Sequence, residues 1–218
     1  MEPAWSGPHA PGHFSALQGW QGLVREPPVG AHILHIYEDP DREIEAASLF
    51  VIEGARRAER VCCVGSTREL ASIRRRVEEA GLDADRLVRD GALALVRQLD
   101  LNGGPKDDDE TSRTALDRFI HAMFRGVPER YPSVRWWGNR VARFFENGRF
   151  DRALAFEQLC HERREVLPWS LLCAYDGRKL SPERHAAAFW DVLRNHSHLI
   201  PAGELGVALE LFPTGVHE

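Results

Sequence analysis

No run in this sequence approaches the ~18 consecutive apolar residues of a membrane-spanning helix. Met1 to Gly30 holds no basic segment followed by an apolar block. Neither a membrane span nor a secretory signal is expected, and the default expectation is a soluble cytoplasmic chain. Cysteine is scarce, and Cys62, Cys63, Cys160 and Cys173 form no C-x-x-C pair. Neighbouring residues on a strand point to opposite faces, so Cys62 and Cys63 cannot readily share a metal or form a bridge. Buried free thiols are the expectation. Lysine is nearly missing, with Lys106 and Lys179 standing against 26 arginines. The formal balance of −5, from 28 basic and 33 acidic residues, leaves no domain-wide basic footprint for nucleic acid. The run Arg74-Arg75-Arg76 beside Glu78-Glu79 reads as a solvated helix face.

What is present is a chain of 218 residues, 43% of them apolar. That length supports a single domain burying roughly 70% of its unfolded surface. Residues 1–30, ending in Pro27-Pro28, read as a flexible N-terminal arm, which could be disordered or could cover a sheet edge. Residues 31–218 read as one domain. Within it, His32 to Tyr37, Val61 to Val64, Gly91 to Val96, Val134 to Trp137 and Trp169 to Tyr175 have strand length and composition. Val207 to Phe212 is a further candidate strand. Helical spacing runs from Arg42 to Ala58, and a second helix starts at an N-cap on Thr67 and ends before Gly81. A third carries Leu116, Phe119, Ile120, Met123 and Phe124. Another helical region spans Val141 to Val166 with a break near Asn147-Gly148, and a last helix opens at Ser181-Pro182. Asn102 to Glu110 reads as a mobile loop. Continuous apolar strands alternating with helices predict a three-layer α/β fold, with a mostly parallel central sheet and helices on both faces.

Ligands in such sheets bind beyond the carboxyl ends of the strands. Here that means Tyr37 and Glu38, Gly65 and Ser66, Gln98, Asn139, and Tyr175 and Asp176. The first strand-to-helix loop, Glu38 to Glu43, contains no glycine and four carboxylates. A P-loop needs glycines for close backbone approach and a Lys-Ser/Thr pair for phosphate and magnesium, so conventional nucleotide hydrolysis is disfavoured. His32 and His35 leave opposite faces of one strand, and His196 and His198 do not converge, so no metal site is expected. Cys63 or Cys173 could meet His35 if their strands are neighbours, but no nucleophile-elbow motif accompanies them. Glu157 lies in an otherwise apolar stretch, Ala153 to Leu159. It is either solvent-facing or buried beside a partner such as Arg135 or Arg140. Trp136, Trp137, Phe144 and Phe145 are either core or the walls of an apolar cavity.

The order of several short motifs resembles the MEDS domain, the sensory domain of methanogens and methylotrophs named partly after the regulator DcmR. The matching pieces are His35-Ile36-Tyr37, Phe50 to Gly54, Val61 to Ser66, Ala80 to Asp83, Asp90 to Leu93, Arg135 with Gly138, Phe156-Glu157, Leu172 to Asp176, and Leu193 to Ile200. Asn139 and Ser197 depart from the pattern, which favours a carboxylate and a proline there. The resemblance implies a degenerate RecA/KaiC-like fold without its phosphate loop. It also implies a non-catalytic sensory or adaptor role in bacterial signal transduction or transcriptional regulation. Small hydrophobic compounds are the ligand class proposed for the family. The implied partners are signalling proteins, namely a histidine kinase, an anti-sigma factor or a transcription regulator, with no cofactor, nucleic acid or membrane. The expected ligand-binding residues are His35, Tyr37, Arg135, Glu157 and Tyr175. A scaffold without a small ligand and an atypical ATP-binding RecA-like protein are the alternatives.

Overall fold

The computed structural model describes residues 15–97, 130–164, 167–180, 182–203 and 206–211, with residues 114, 117, 118, 120 and 121 between them. The strands are β1 (Ser15–Gly19), β2 (His32–Tyr37), β3 (Arg60–Gly65), β4 (Leu93–Arg97), β5 (Val134–Gly138), β6 (Trp169–Asp176), β7 (His198–Ile200) and β8 (Val207–Glu210). They form one sheet in the order β1-β8-β7-β2-β6-β5-β3-β4. The six strands from β7 to β4 in that order are parallel, and β8 runs antiparallel to both β7 and β1. The expected three-layer α/β architecture with a mostly parallel sheet is therefore present. Strand β6 is buried along its whole length, as a central strand covered on both faces must be.

The helices are α1 (Trp20–Arg25), α2 (Pro40–Arg56), α3 (Thr67–Glu79), α4 (Ala84–Arg89), α5 (Arg140–Glu146), α6 (Phe150–Arg163) and α7 (Pro182–Arg194). Local chemistry explains their ends. The Asp39 carboxylate accepts a hydrogen bond from the Asp41 amide, with Pro40 in the first turn of α2. Ser66, rather than the expected Thr67, caps α3 through a reciprocal box with Glu69. At the other end, Gly81 at φ 81° and the bonds from Gly81 and Leu82 to Glu78 and Val77 close α3 in a Schellman motif. Asn147-Gly148 separates α5 from α6 where the sequence predicted a break. Gln98, the loop Asn102 to Glu110, and Leu116, Phe119, Met123, Phe124, Val166, Ser181 and Phe212 lie outside the described residues.

Strand parity divides the core. One face carries Ile33, Val61, Cys63, Leu93, Trp137 and Leu172 beneath helices α1 to α4. The opposite face carries Leu34, Cys62, Val64, Trp136, Trp169, Leu171, Cys173 and Tyr175 beneath α5, α6 and α7. Trp136 and Trp137 thus lie on opposite faces and cannot wall one cavity. The flexible arm expected over residues 1–30 is, from Ser15 onward, part of the fold. β1 completes the β8 edge, and Leu23 and Val24 of α1 are buried in the core. Ladder pairing and burial of those two side chains order a segment whose composition alone carries little signal.

Candidate functional site

The five residues expected to line one pocket do not meet. Parity places His35, Tyr37 and Arg135 on the α2 face and Tyr175 on the other, because Tyr175 stands in register with Ile36 and not with Tyr37. Arg135 is 2% exposed, and each nitrogen of its guanidinium donates a hydrogen bond. It pairs with Glu59 and donates to the carbonyls of Val24, Phe50 and Arg25 at 3.1, 3.2 and 3.0 Å, while stacking over the Phe50 ring. Val24 and Arg25 end α1, where helix carbonyls lack intrahelical donors, so Arg135 serves as the C-terminal anchor of that helix. The close approach requires Gly54, since a Cβ there would lie 2.7 Å from Arg135 Cδ.

Tyr37 instead ends β2 beside the carboxyl end of β6, with His35 two residues earlier on the same face. Tyr37 and Asp176 are register partners there, and α2 leaves to one face of the sheet while α7 leaves to the other. Adjacent strands with helices departing to opposite faces form the kind of switch point at which α/β proteins bind ligands. Glu43, in the first turn of α2, turns its carboxylate inward and accepts a hydrogen bond from Asn139 Nδ2 at 3.0 Å. Burial and the nearby Glu69 carboxylate raise the Glu43 pKa to about 7, against the lowering effect of Asn139, Tyr37 and Arg143. Burial, with Glu43 and Asp176 adding to it, holds the Tyr37 phenol protonated. Asn139 Oδ1 and His35 Nδ1 are buried without a hydrogen-bond partner among the described residues. Burial pulls His35 down to about 4, so its ring is neutral at ordinary pH.

A second polar group lies inside the other face. Glu157 of α6, solvent-facing or arginine-paired in the sequence-based alternatives, is wholly buried, and its partners among the described residues are not arginines. Tyr175 donates to its Oε1 at 2.6 Å, while His32 Nε2 lies 3.1 Å and His196 Nε2 3.6 Å from its Oε2. Cys173 Sγ is 3.3 Å from His32 Nε2 and 4.0 Å from Glu157 Oε2. Each histidine directs its other ring nitrogen, Nδ1, to a backbone carbonyl at 2.7 Å: Asn195 for His32 and Val192 for His196. The ligand-type atoms of His32, Glu157, Cys173 and His196 all lie within 4.8 Å of one another. Burial lowers both imidazoles to about 3 and raises the carboxyl and the thiol.

This group corrects two expectations. The pairs His32/His35 and His196/His198 indeed diverge, but one member of each converges with the other across the fold. Cys173 meets a histidine as considered, but the histidine is His32, because His35 points through the opposite face. Only Glu157 carried a visible signal, as a lone carboxylate in an apolar helix.

The fold defines a three-layer α/β class with a mostly parallel sheet and a glycine-free acidic turn after β2. Among similar solved structures, protein PH0321 from Pyrococcus horikoshii, solved in complex with an unknown peptide, has a TM-score of 0.59 at 14% identity, covering 88% of this chain and 89% of that one. Flagellar accessory protein FlaH from Methanocaldococcus jannaschii gives 0.53 at 12%, covering 79% and 71%. No curated protein matches the chain in sequence. The family model "MEthanogen/methylotroph, DcmR Sensory domain" matches residues 31–197, and the chain belongs to the MEDS family of sensory domains.

Proposed function

We propose that this chain is a non-catalytic sensory domain that binds a small uncharged molecule at the carboxyl ends of β2 and β6. A protein partner in signal transduction or transcriptional regulation then receives the signal. The observation that carries the reading is the pair of buried, unpartnered atoms Asn139 Oδ1 and His35 Nδ1 beside Tyr37 and Glu43. An unmatched buried polar atom costs about 1–3 kcal/mol, and a small molecule with a hydroxyl or amide would supply the missing contacts. Triphosphate binding is disfavoured by the same turn. The first-turn amide of Asp41 is already taken by Asp39, and Glu43 places a carboxyl where a phosphate would lie.

The test is native mass spectrometry of the purified chain, alone and with Mg-ATP, alongside thermal-shift screening with short alcohols, amides and ketones. A retained adduct or a saturable stabilisation that Tyr37→Phe and Asn139→Ala both weaken supports the reading. ATP turnover, or a ligand response that neither variant alters, overturns it. A partner-binding scaffold is the second reading, favoured by Trp190, which stands 57% exposed on α7. Capture of a signalling protein that Trp190→Ala abolishes, with no small-molecule response, would favour it.

A further inference from the structure

We propose that His32, Glu157, Cys173 and His196 form a closed four-ligand site for a first-row divalent transition metal, zinc by the chemistry of its donors. The proposal is independent of the ligand site proposed at the carboxyl ends of β2 and β6, since the two sites lie on opposite faces of the sheet.

The first argument is a count of hydrogens. Both histidines present Nδ1 to backbone carbonyls, which accept and cannot donate, so each ring carries its proton on Nδ1. Each Nε2 is then a lone pair aimed at the interior. Two lone pairs, a carboxyl oxygen and a sulfur face one another. At most two protons, one on Glu157 and one on Cys173, could lie between them. Both of these groups contact His32, and His196 Nε2 is left with no hydrogen-bond partner among the described residues. A cation at the centre satisfies all four atoms at once.

The second argument is geometry. Zinc bonds of about 2.0–2.3 Å imply tetrahedral edges of roughly 3.3–3.7 Å. The observed edges from Glu157 Oε2 to His32, His196 and Cys173 are 3.1, 3.6 and 4.0 Å, and the edge from His32 to Cys173 is 3.3 Å. Small side-chain shifts bring these to a bonded set. Two neutral imidazoles, a thiolate and a carboxylate sum to −2, which a divalent ion cancels in a region that solvent does not reach. The mixed nitrogen, sulfur and oxygen set suits zinc rather than magnesium or calcium.

The third argument is the surrounding shell. Metal-bound histidines characteristically donate their second nitrogen to a carbonyl or carboxylate, as both do here. The Tyr175 hydroxyl holds Glu157 Oε1 and leaves Oε2 for the ion. With four protein ligands the site is closed, and its role is structural. It ties β2, β6, α6 and the turn after α7 into one unit, so metal affinity is coupled to folding.

The test uses the untagged full-length chain purified without chelator. Elemental analysis should find about one zinc per chain, and removal of the metal should lower the melting temperature. Cobalt(II) added to the metal-free chain should give the strong visible absorption of a four-coordinate ion and a near-ultraviolet sulfur-to-cobalt band. In Cys173→Ser the sulfur band should vanish, and in His196→Ala affinity should fall at least tenfold. If a variant does not fold, the wild-type cobalt spectrum decides. A chain folded by circular dichroism that holds less than a tenth of an equivalent and gives no four-coordinate cobalt spectrum refutes the site. So does metal content unchanged in both folded variants.

Discussion

Replacing Arg135 with Met separates an anchoring role from a ligand-binding one. The variant keeps the length and apolar stem of the side chain but removes its pairing with Glu59 and its three carbonyl contacts. Breaking a buried ion pair by removing one partner costs ~3–5 kcal/mol. Glu59 is 16% exposed and keeps its bond to the Ser133 hydroxyl, so part of its charge is resolvated and the lower end applies. For a chain of 218 residues, a loss of about 3 kcal/mol lowers the melting temperature by roughly 6–12 °C. The loss is local before it is global, because Val24 and Arg25 lose the donor that satisfies the end of α1. Thermal denaturation followed by circular dichroism measures the first quantity. Hydrogen exchange at Leu23 and Val24 measures the second, and protection there should fall first. A melting temperature within about 2 °C of wild type, with protection of α1 intact, would refute the anchoring argument.

Gly54→Ala should destabilise by about 1–3 kcal/mol in urea denaturation, because its Cβ would lie 2.7 Å from Arg135 Cδ and 3.0 Å from Val61 Cγ2. A gain of about 0.5–1 kcal/mol, normal for this change inside a helix, would show that the contact yields. The carboxyl of Glu43 has its folded pKa raised from 4.5 to about 7, so its contribution is fully present below pH 4.5 and is lost as pH rises through 7. Stability of the wild type relative to Glu43→Gln should therefore decline by roughly 3 kcal/mol between those limits, and parallel pH profiles would contradict the burial of a protonated carboxyl. All four cysteines are buried and form no disulfide, so a thiol reagent should react with the native chain only as fast as it opens. A fast stoichiometric reaction before unfolding would contradict that burial.

Much of the sheet was legible because its inner strands are buried on both sides. His32 to Tyr37, Val61 to Val64, Val134 to Trp137 and Trp169 to Tyr175 read as largely apolar runs of strand length, stopped by polar or glycine residues at Glu38, Gly65 and Gly138 and by Asp176-Gly177. Ser15–Gly19 was not legible, since an edge strand is specified by its neighbour, here β8, more than by its own residues. The candidate site failed for a different reason. Choosing Tyr37 and Tyr175 together required the parity of two strands relative to each other, and that depends on a register no single sequence displays. The buried cluster draws on positions 32, 157, 173 and 196, a spread with no compact ligand spacing. Only the fold brings them together.

The place of β2 in the sheet has a consequence for synthesis. Its two ladder neighbours are β6 and β7, which end at Asp176 and Ile200, whereas β2 itself is finished at Tyr37. At about 5–20 residues per second, the ribosome needs roughly 10–30 s to deliver both partners. Until β6 has been made the nascent Ile33-Leu34-His35-Ile36 segment has both edges open, and until β7 has been made one edge stays open. The chain therefore cannot complete the centre of its sheet progressively from the N-terminus, because β2 must wait for β7. An interrupted translation product would leave an apolar strand unpaired, a ready target for chaperones or proteases.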